Sequence, residues 1–320
     1  MSRSYDAVCI GFIVQDIMIT DIPEDALTRD TTIGGTAMVT SGGDAGNEAI
    51  TLGNLGSKTA LLTKIGTDSI GNSIQAIVQQ EPVDTSLIIR DECAEMMMAI
   101  VVIKPNGDRS FLVKQGNTAY YLKPDDISDN VLKNTRAITI GSLFCLPGLD
   151  GPGIANVLKR AQHFGTLTIC DMTHDSCKIG PHAMDCVYPH VDYMMPSMEE
   201  AYYVTGETDP DLIADYFLSQ GVKNVVLKLG GDGCFFKNNS QRFFSDPYVV
   251  KAIDTTGCGD NFLGGFTHAL LKGWDMEHCC DFACAVGALN ATRLGAHHVI
   301  KSEQQVLDFM KSTPQKHLIR

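Results

Sequence analysis

The chain of 320 residues reads as an α/β protein, a mainly parallel sheet with helices on both faces, for three reasons. Short apolar runs bounded by Gly, Asp or Pro alternate with helix-period stretches over most of its length. Two extended segments interrupt that rhythm, and the last third is helical throughout with no strand between its helices.

The runs at 7–13, 59–65, 137–140, 167–170, 193–195 and 225–229 are strand candidates. The stretches 47–55, 69–79, 152–164 and 209–219 alternate with them and are helix candidates, followed by 260–272, 276–294 and 303–311. Segments 14–40 and 96–114 are rich in Thr, Ile, Val and Met. A turn at Pro105-Asn106-Gly107-Asp108 makes the second a hairpin. Neither is followed by a helix in βα order, so both are assigned to a small β-sheet lid. Length alone suggests about two domains. The reading adopted is one domain over 1–320 with the lid strands inserted in it.

Hydrophobic content of 44% with 20% charged residues describes a soluble globular chain. A net charge of −13 and the lack of any basic run exclude nucleic acid as partner. No apolar stretch is long enough for a membrane span. The N-terminus lacks the apolar core and cleavage site of a signal peptide. Eleven scattered cysteines fit a reducing cytoplasm. Cys279, Cys280 and Cys284 cluster on a helix with only His278 beside them, so buried free thiols are favoured over a metal site.

The densest chemistry lies at 254–260, Asp-Thr-Thr-Gly-Cys-Gly-Asp, which runs into an amphipathic helix. Three small residues at its mouth leave the amides of Gly257, Cys258 and Gly259 uncovered, and those N–H dipoles suit an anion. Asp260 places a carboxylate at the same point. Phosphoryl transfer to a hydroxyl needs this pair, charge stabilisation and a base. Taken alone, the same residues equally describe a glycine turn with a capping Asp.

Ser41-Gly42-Gly43-Asp44-Ala45-Gly46-Asn47 opens another helix. Gly42 and Gly43 admit a ligand to the backbone, while Asp44 and Asn47 suit sugar hydroxyl pairs; a turn with a cap is the plainer reading. Asp16 follows the first apolar run and is expected at the carboxyl edge of the parallel sheet. Glu199 and Glu200 follow Pro196-Ser197 at a helix start, either compensating the dipole or standing near a nucleotide's Mg²⁺. Lys228 ends a strand before Gly230, Gly231 and Gly233, where it meets phosphate or merely closes a turn. No Gly-x-Gly-x-x-Gly follows the first strand, which disfavours a dinucleotide-dependent dehydrogenase.

Together these pieces resemble the ribokinase-like, or PfkB, family of carbohydrate kinases, over nearly the whole chain. The two signatures fall at 42–47 with the stretch 52–71, and at 254–260. The chain is also similar to a set of bacterial sugar kinases of unassigned substrate, which share Gly-Gly-Asp-Ala-x-Asn-Glu-Ala, present here at 42–49. The resemblance implies a Rossmann-like core, a β-sheet lid, and ATP with Mg²⁺. It implies Asp260 as catalytic base, Gly257, Cys258 and Gly259 as anion hole, and Asp16, Gly42, Gly43 and Asn47 at the sugar. It also implies Glu200 near Mg²⁺, Gly230 and Gly233 at the nucleotide, and carbonyls of Asp254 and Thr256 on a monovalent cation such as K⁺. Ser197 stands where the family's Asn-x-x-Glu has Asn, and Cys258 where Ala is usual. Cys284 replaces an Asn common near the base, and Val14 and Asp44 replace the Asn and Lys of ribose-specific members, which counts against ribose.

The expected reaction is phosphorylation of a hydroxyl, a primary one, with Asp260 as base and Lys228 on the nucleotide side. Asp16 and Asp44 make the acceptor pocket acidic, which favours a neutral sugar or polyol. The rivals are a nucleoside kinase, with Phe12 and Met96, Met97 and Met98 around the base, and a sugar-binding homologue without turnover. A lid with an apolar outer face would pair two subunits.

Overall fold

The computed structural model describes residues 3–105, 109–117 and 121–318. The early strands are β1 (Tyr5–Ile10), β2 (Val14–Ile19), β3 (Ala37–Gly42), β4 (Thr59–Leu62), β5 (Lys64–Gly66) and β6 (Ile89–Asp91). Then come β7 (Met98–Ile103), β8 (Arg109–Lys114), β9 (Thr135–Leu143) and β10 (Leu167–Met172). The last are β11 (Tyr193–Met194), β12 (Asn224–Lys228), β13 (Cys234–Asn238) and β14 (Arg242–Ser245). The helices are α1 (Asp44–Asn54), α2 (Ser69–Val78), α3 (Asp129–Lys133), α4 (Pro152–His163) and α5 (Met198–Thr205). They continue as α6 (Pro210–Ser219), α7 (Cys258–Lys272), α8 (Met276–Asn290) and α9 (Glu303–Ser312).

β1 explains the layering. Ala7 and Cys9 pack into one apolar cluster, Val8 and Ile10 into another, and all four are fully buried. Side chains alternate faces along a strand, so a strand covered on both sides must be apolar at every position. The first cluster carries α1, α7 and α8; the second carries α4 and α6. The main sheet runs β14-β13-β12-β11-β10-β9-β1-β4, parallel from β12 to β4. The expected three-layer α/β core is present.

The β13–β14 hairpin at its edge was not anticipated. It is antiparallel, and the Asn238 side chain turns it by accepting from the amides of Ser240 and Gln241, both at 2.8 Å. The single run at 59–65 divides: β4 stays beside β1, whereas β5 pairs with β6 apart from the main sheet.

A second sheet has the order β3-β2-β7-β8 and comes from the two interrupting segments, as expected. Asn106, Gly107 and Asp108 of the anticipated hairpin turn lie outside the described residues. Asp16 is a correction. It does not end a strand of the main sheet; it sits inside β2, opposite Thr40 of β3 and Ala99 of β7. The first apolar run stops being main-sheet strand at Ile10, and pairing with β3 and β7 claims the chain from Val14 onward. Among the described residues no helix is long and apolar enough to cross a membrane.

Candidate active site

The mouth of α7 is built by a turn. Gly257 has φ +71° and ψ 2°, the values required at the third residue of a type II turn, and Cys258 N donates to Thr255 O at 3.2 Å. A Cβ at Gly257 would lie 2.5 Å from Ala296 O, so glycine is needed twice over, for the backbone angle and for space. This turn corrects one expectation. Of the three amides read as bare, that of Cys258 is taken by the turn. Those of Gly257 and Gly259 have no protein acceptor among the described residues. They sit at the positive end of a 15-residue helix.

Asp260 lies in the first turn of that helix, partly exposed. Its Oδ2 accepts from Asn47 Nδ2 at 2.7 Å. Among the described residues it is held by this neutral amide and by no ion pair. Burial pushes the Asp260 carboxyl above the usual carboxylate range, and the Asn47 bond and Lys228 pull it back only in part. A base whose pKa is raised toward neutrality is suited to taking a proton from an alcohol. Asn47 is itself held, because His297 Nδ1 bonds its Oδ1 at 2.9 Å. The next residue on α7, Asn261, donates to Gly257 O at 2.7 Å and Ala296 O at 2.5 Å, and accepts from Thr51 at 2.8 Å. These bonds fix the helix mouth against α1 and against the loop after α8.

Lys228 comes from the end of β12 and points to the same place: a Cβ on Gly259 would lie 3.3 Å from its Nζ. Lys228 bonds Asp171, which ends the apolar run of β10. Burial lowers the lysine's pKa, but Asp171 and then Glu200 outweigh it, so Lys228 remains an ammonium. Burial drives Asp171 the other way, well above an ordinary carboxylate. Four carboxyl groups, those of Asp44, Asp171, Glu200 and Asp260, thus share this one lysine. An oxygen-rich set short of positive charge is the donor chemistry that Mg²⁺ takes. Glu200 also has a local task. It closes a capping box with Ser197, accepting from Ser197 N at 2.7 Å while Glu200 N donates to Ser197 Oγ at 3.3 Å.

At the mouth of α1, β3 delivers Gly42 and Gly43. A Cβ at Gly42 would lie 2.2 Å from Asp16 Oδ2, and one at Gly43, with φ +87°, 2.8 Å from Phe12 O. The Asp16 carboxylate therefore rests against bare backbone. Burial raises its pKa to about 6. Ser142 Oγ donates to Asp44 Oδ2 at 2.6 Å, yet burial and the nearby Asp260 raise Asp44 to about 7.

In the turn after β12, Gly230 (φ +59°) and Gly231 have no atom within 4 Å of an added Cβ, so the backbone there is open to a ligand. Gly233 differs. Its Cβ would lie 2.1 Å from Ser245 O, so it is glycine because the β14 backbone passes over it. The Asp254 carboxylate accepts from Thr256 N at 2.8 Å and Gly295 N at 2.9 Å, and Thr256 O accepts from Asn290 at 2.9 Å. Among the described residues the α8 thiols of Cys280 and Cys284 both meet Cys234, Cys284 at 3.7 Å, while His278 is exposed and bonds Asp275.

Sequence reasoning missed Asp171, Ser142 and His297. Asp171 carries the signal used for Asp16, a lone charge at the end of an apolar run. Ser142 and His297 carry none, because each acts through a partner about a hundred residues away or more.

A parallel α/β sheet with a small second sheet, and a helix mouth joining free amides, a carboxylate and a lysine, define a small-molecule kinase. The pfkB family carbohydrate kinase model matches residues 6–303, and the chain belongs to that family. It is similar to a ribokinase from Haemophilus influenzae, 26% identical over 309 residues covering 94% of this chain and 97% of that protein. In fold it resembles a ribokinase from Thermotoga maritima, with TM-score 0.81, 24% identity, and 96% and 100% of the two chains covered. An Arabidopsis thaliana ribokinase complexed with ribose and ATP superposes with TM-score 0.78 at 21% identity, over 97% and 99% of the chains.

Proposed function

We propose that the protein transfers the γ-phosphoryl group of ATP to a hydroxyl, a primary one, of a neutral sugar or polyol. The observation that carries this reading is that Asp260, the unbonded amides of Gly257 and Gly259, and the Lys228 ammonium gather at one helix mouth. Asp260 takes the hydroxyl proton as that oxygen attacks phosphorus. The two amides and Lys228 steady the charge on the transferring group; donors of this kind are worth about 3 kcal/mol each. Glu200 and Asp171 would hold Mg²⁺, which when bound would neutralise phosphate charge.

Asp16, Asp44 and the backbone of Gly42 and Gly43 line the acceptor side, with the second N–H of Asn47. Their acidity supports a neutral acceptor over a sugar phosphate or sugar acid. The small sheet acts as a lid that excludes water. Exposed Val39, Phe111 and Val113 on it support pairing of two copies through that sheet. The missing lysine and asparagine of ribose-specific members favour a sugar other than ribose.

The test is Asp260→Asn assayed over a sugar and nucleoside panel. Turnover is expected to drop by about 10²–10⁴-fold with ATP binding retained. Near-normal turnover of the variant refutes the role of Asp260, and adenosine as best acceptor refutes the sugar reading.

A further inference from the structure

Behind the catalytic carboxylate, on the far side of Asn47, lies a group of side chains that phosphoryl transfer does not use. His297 and His298 each offer a ring nitrogen and Glu81 a carboxylate oxygen, and these atoms all lie within 4.8 Å of one another. Glu81 follows the end of α2, whereas the histidines belong to the loop between α8 and α9. Chain segments more than two hundred residues apart in sequence thus converge here.

His297 is 1% exposed, and its Nε2 has no hydrogen-bond partner. Buried polar atoms are rarely left so. Its protonation follows from the neighbouring bonds. Asn47 turns its amide nitrogen to Asp260, so its oxygen faces His297 Nδ1. A carbonyl oxygen only accepts, hence the ring proton is on Nδ1 and Nε2 carries a lone pair. His298 bonds Thr40 Oγ1 through Nε2 at 2.8 Å, which leaves Nδ1 for another partner.

We infer that Glu81, His297 and His298 bind one transition-metal ion of the Zn²⁺ class, and that Asn47 orients the metal-binding face of His297. Two neutral imidazoles, one carboxylate and a solvent position are a donor set that Zn²⁺ takes, and one that Mg²⁺, which prefers oxygen throughout, does not. Ligating histidines commonly donate their other ring N–H to an oxygen, as His297 does to Asn47. A metal on Nε2 withdraws charge from the ring and makes Nδ1–H a stronger donor. Asn47 is then gripped more firmly, and with it Asp260. Coupling of this kind is reciprocal. What Asn47 contributes to metal affinity, the metal contributes to the hold on Asp260.

The test needs neither nucleotide nor sugar, so it stands apart from the kinase assignment. The full chain is titrated with Co²⁺ and followed by its visible absorbance, then back-titrated with Zn²⁺. One Co²⁺ per chain, displaced by Zn²⁺, is expected. Glu81→Gln, a change at a partly exposed residue, and His298→Ala should each weaken binding at least about tenfold, and Asn47→Ala by about 10–100-fold. No Co²⁺ spectrum, or unchanged affinity in Glu81→Gln and His298→Ala, overturns the site. Unchanged affinity in Asn47→Ala alone overturns the link to Asp260.

Discussion

Asn47 Nδ2 donates to Asp260 Oδ2 at 2.7 Å, joining residues 213 positions apart in the chain. Through that bond the helix start at Gly43 and the helix start at Gly257 become one site. A neutral donor holds the carboxylate in place without removing its basicity, which an arginine or lysine ion pair would do.

Replacing that donor should be visible in the pH profile. In Asn47→Ala, Asp260 loses the bond that lowers its pKa, so the acidic limb of kcat/KM moves to higher pH. Turnover should also fall about 10²-fold from misplacement of the base. An acidic limb that stays put, whatever the loss of rate, would show that Asn47 acts elsewhere.

The Asp44 carboxyl carries a stability consequence. Its folded pKa of about 7 lies above the unfolded value of 3.8, through burial first and Asp260 second. A group with a raised folded pKa stabilises fully below the unfolded pKa and loses that contribution as pH rises through the folded one. Ligand-free protein should therefore lose stability between about pH 4 and pH 7 on account of Asp44. Asp44→Asn should raise Tm at pH 8 but little at pH 4. Because the side chain is partly exposed, the gain at pH 8 is on the order of 2 kcal/mol. Equal Tm changes at both pH values would contradict this.

Gly257→Ala should cost stability and activity together. Alanine at φ +71° is strained by about 1–2 kcal/mol, and its methyl would press on Ala296 O. Thermal unfolding should show the loss, and turnover should fall further because the Gly257 and Gly259 amides are displaced. Gly231→Ala, where an added methyl meets nothing, is the matched control and should keep wild-type Tm. If both variants melt alike, the turn geometry is not what fixes glycine at Gly257.

The sequence by itself determined the strand–helix alternation, because period-two and period-3.6 apolar patterns are local. It also determined the two glycine-rich helix mouths, since a left-handed residue at Gly257 and close backbone approach at Gly42 and Gly43 leave glycine in the sequence. Asp260 and Lys228 were legible as charges at element ends. Tertiary structure alone decided what each charge touches. Asp16 moved to the small sheet because pairing with β3 and β7 outweighs continuation of β1. The Cys258 amide was spent within its own turn. Asp171 found Lys228, Ser142 found Asp44 and His297 found Asn47 across long stretches of chain. A hydrogen bond depends on position in space, and partners so far apart leave no spacing to read.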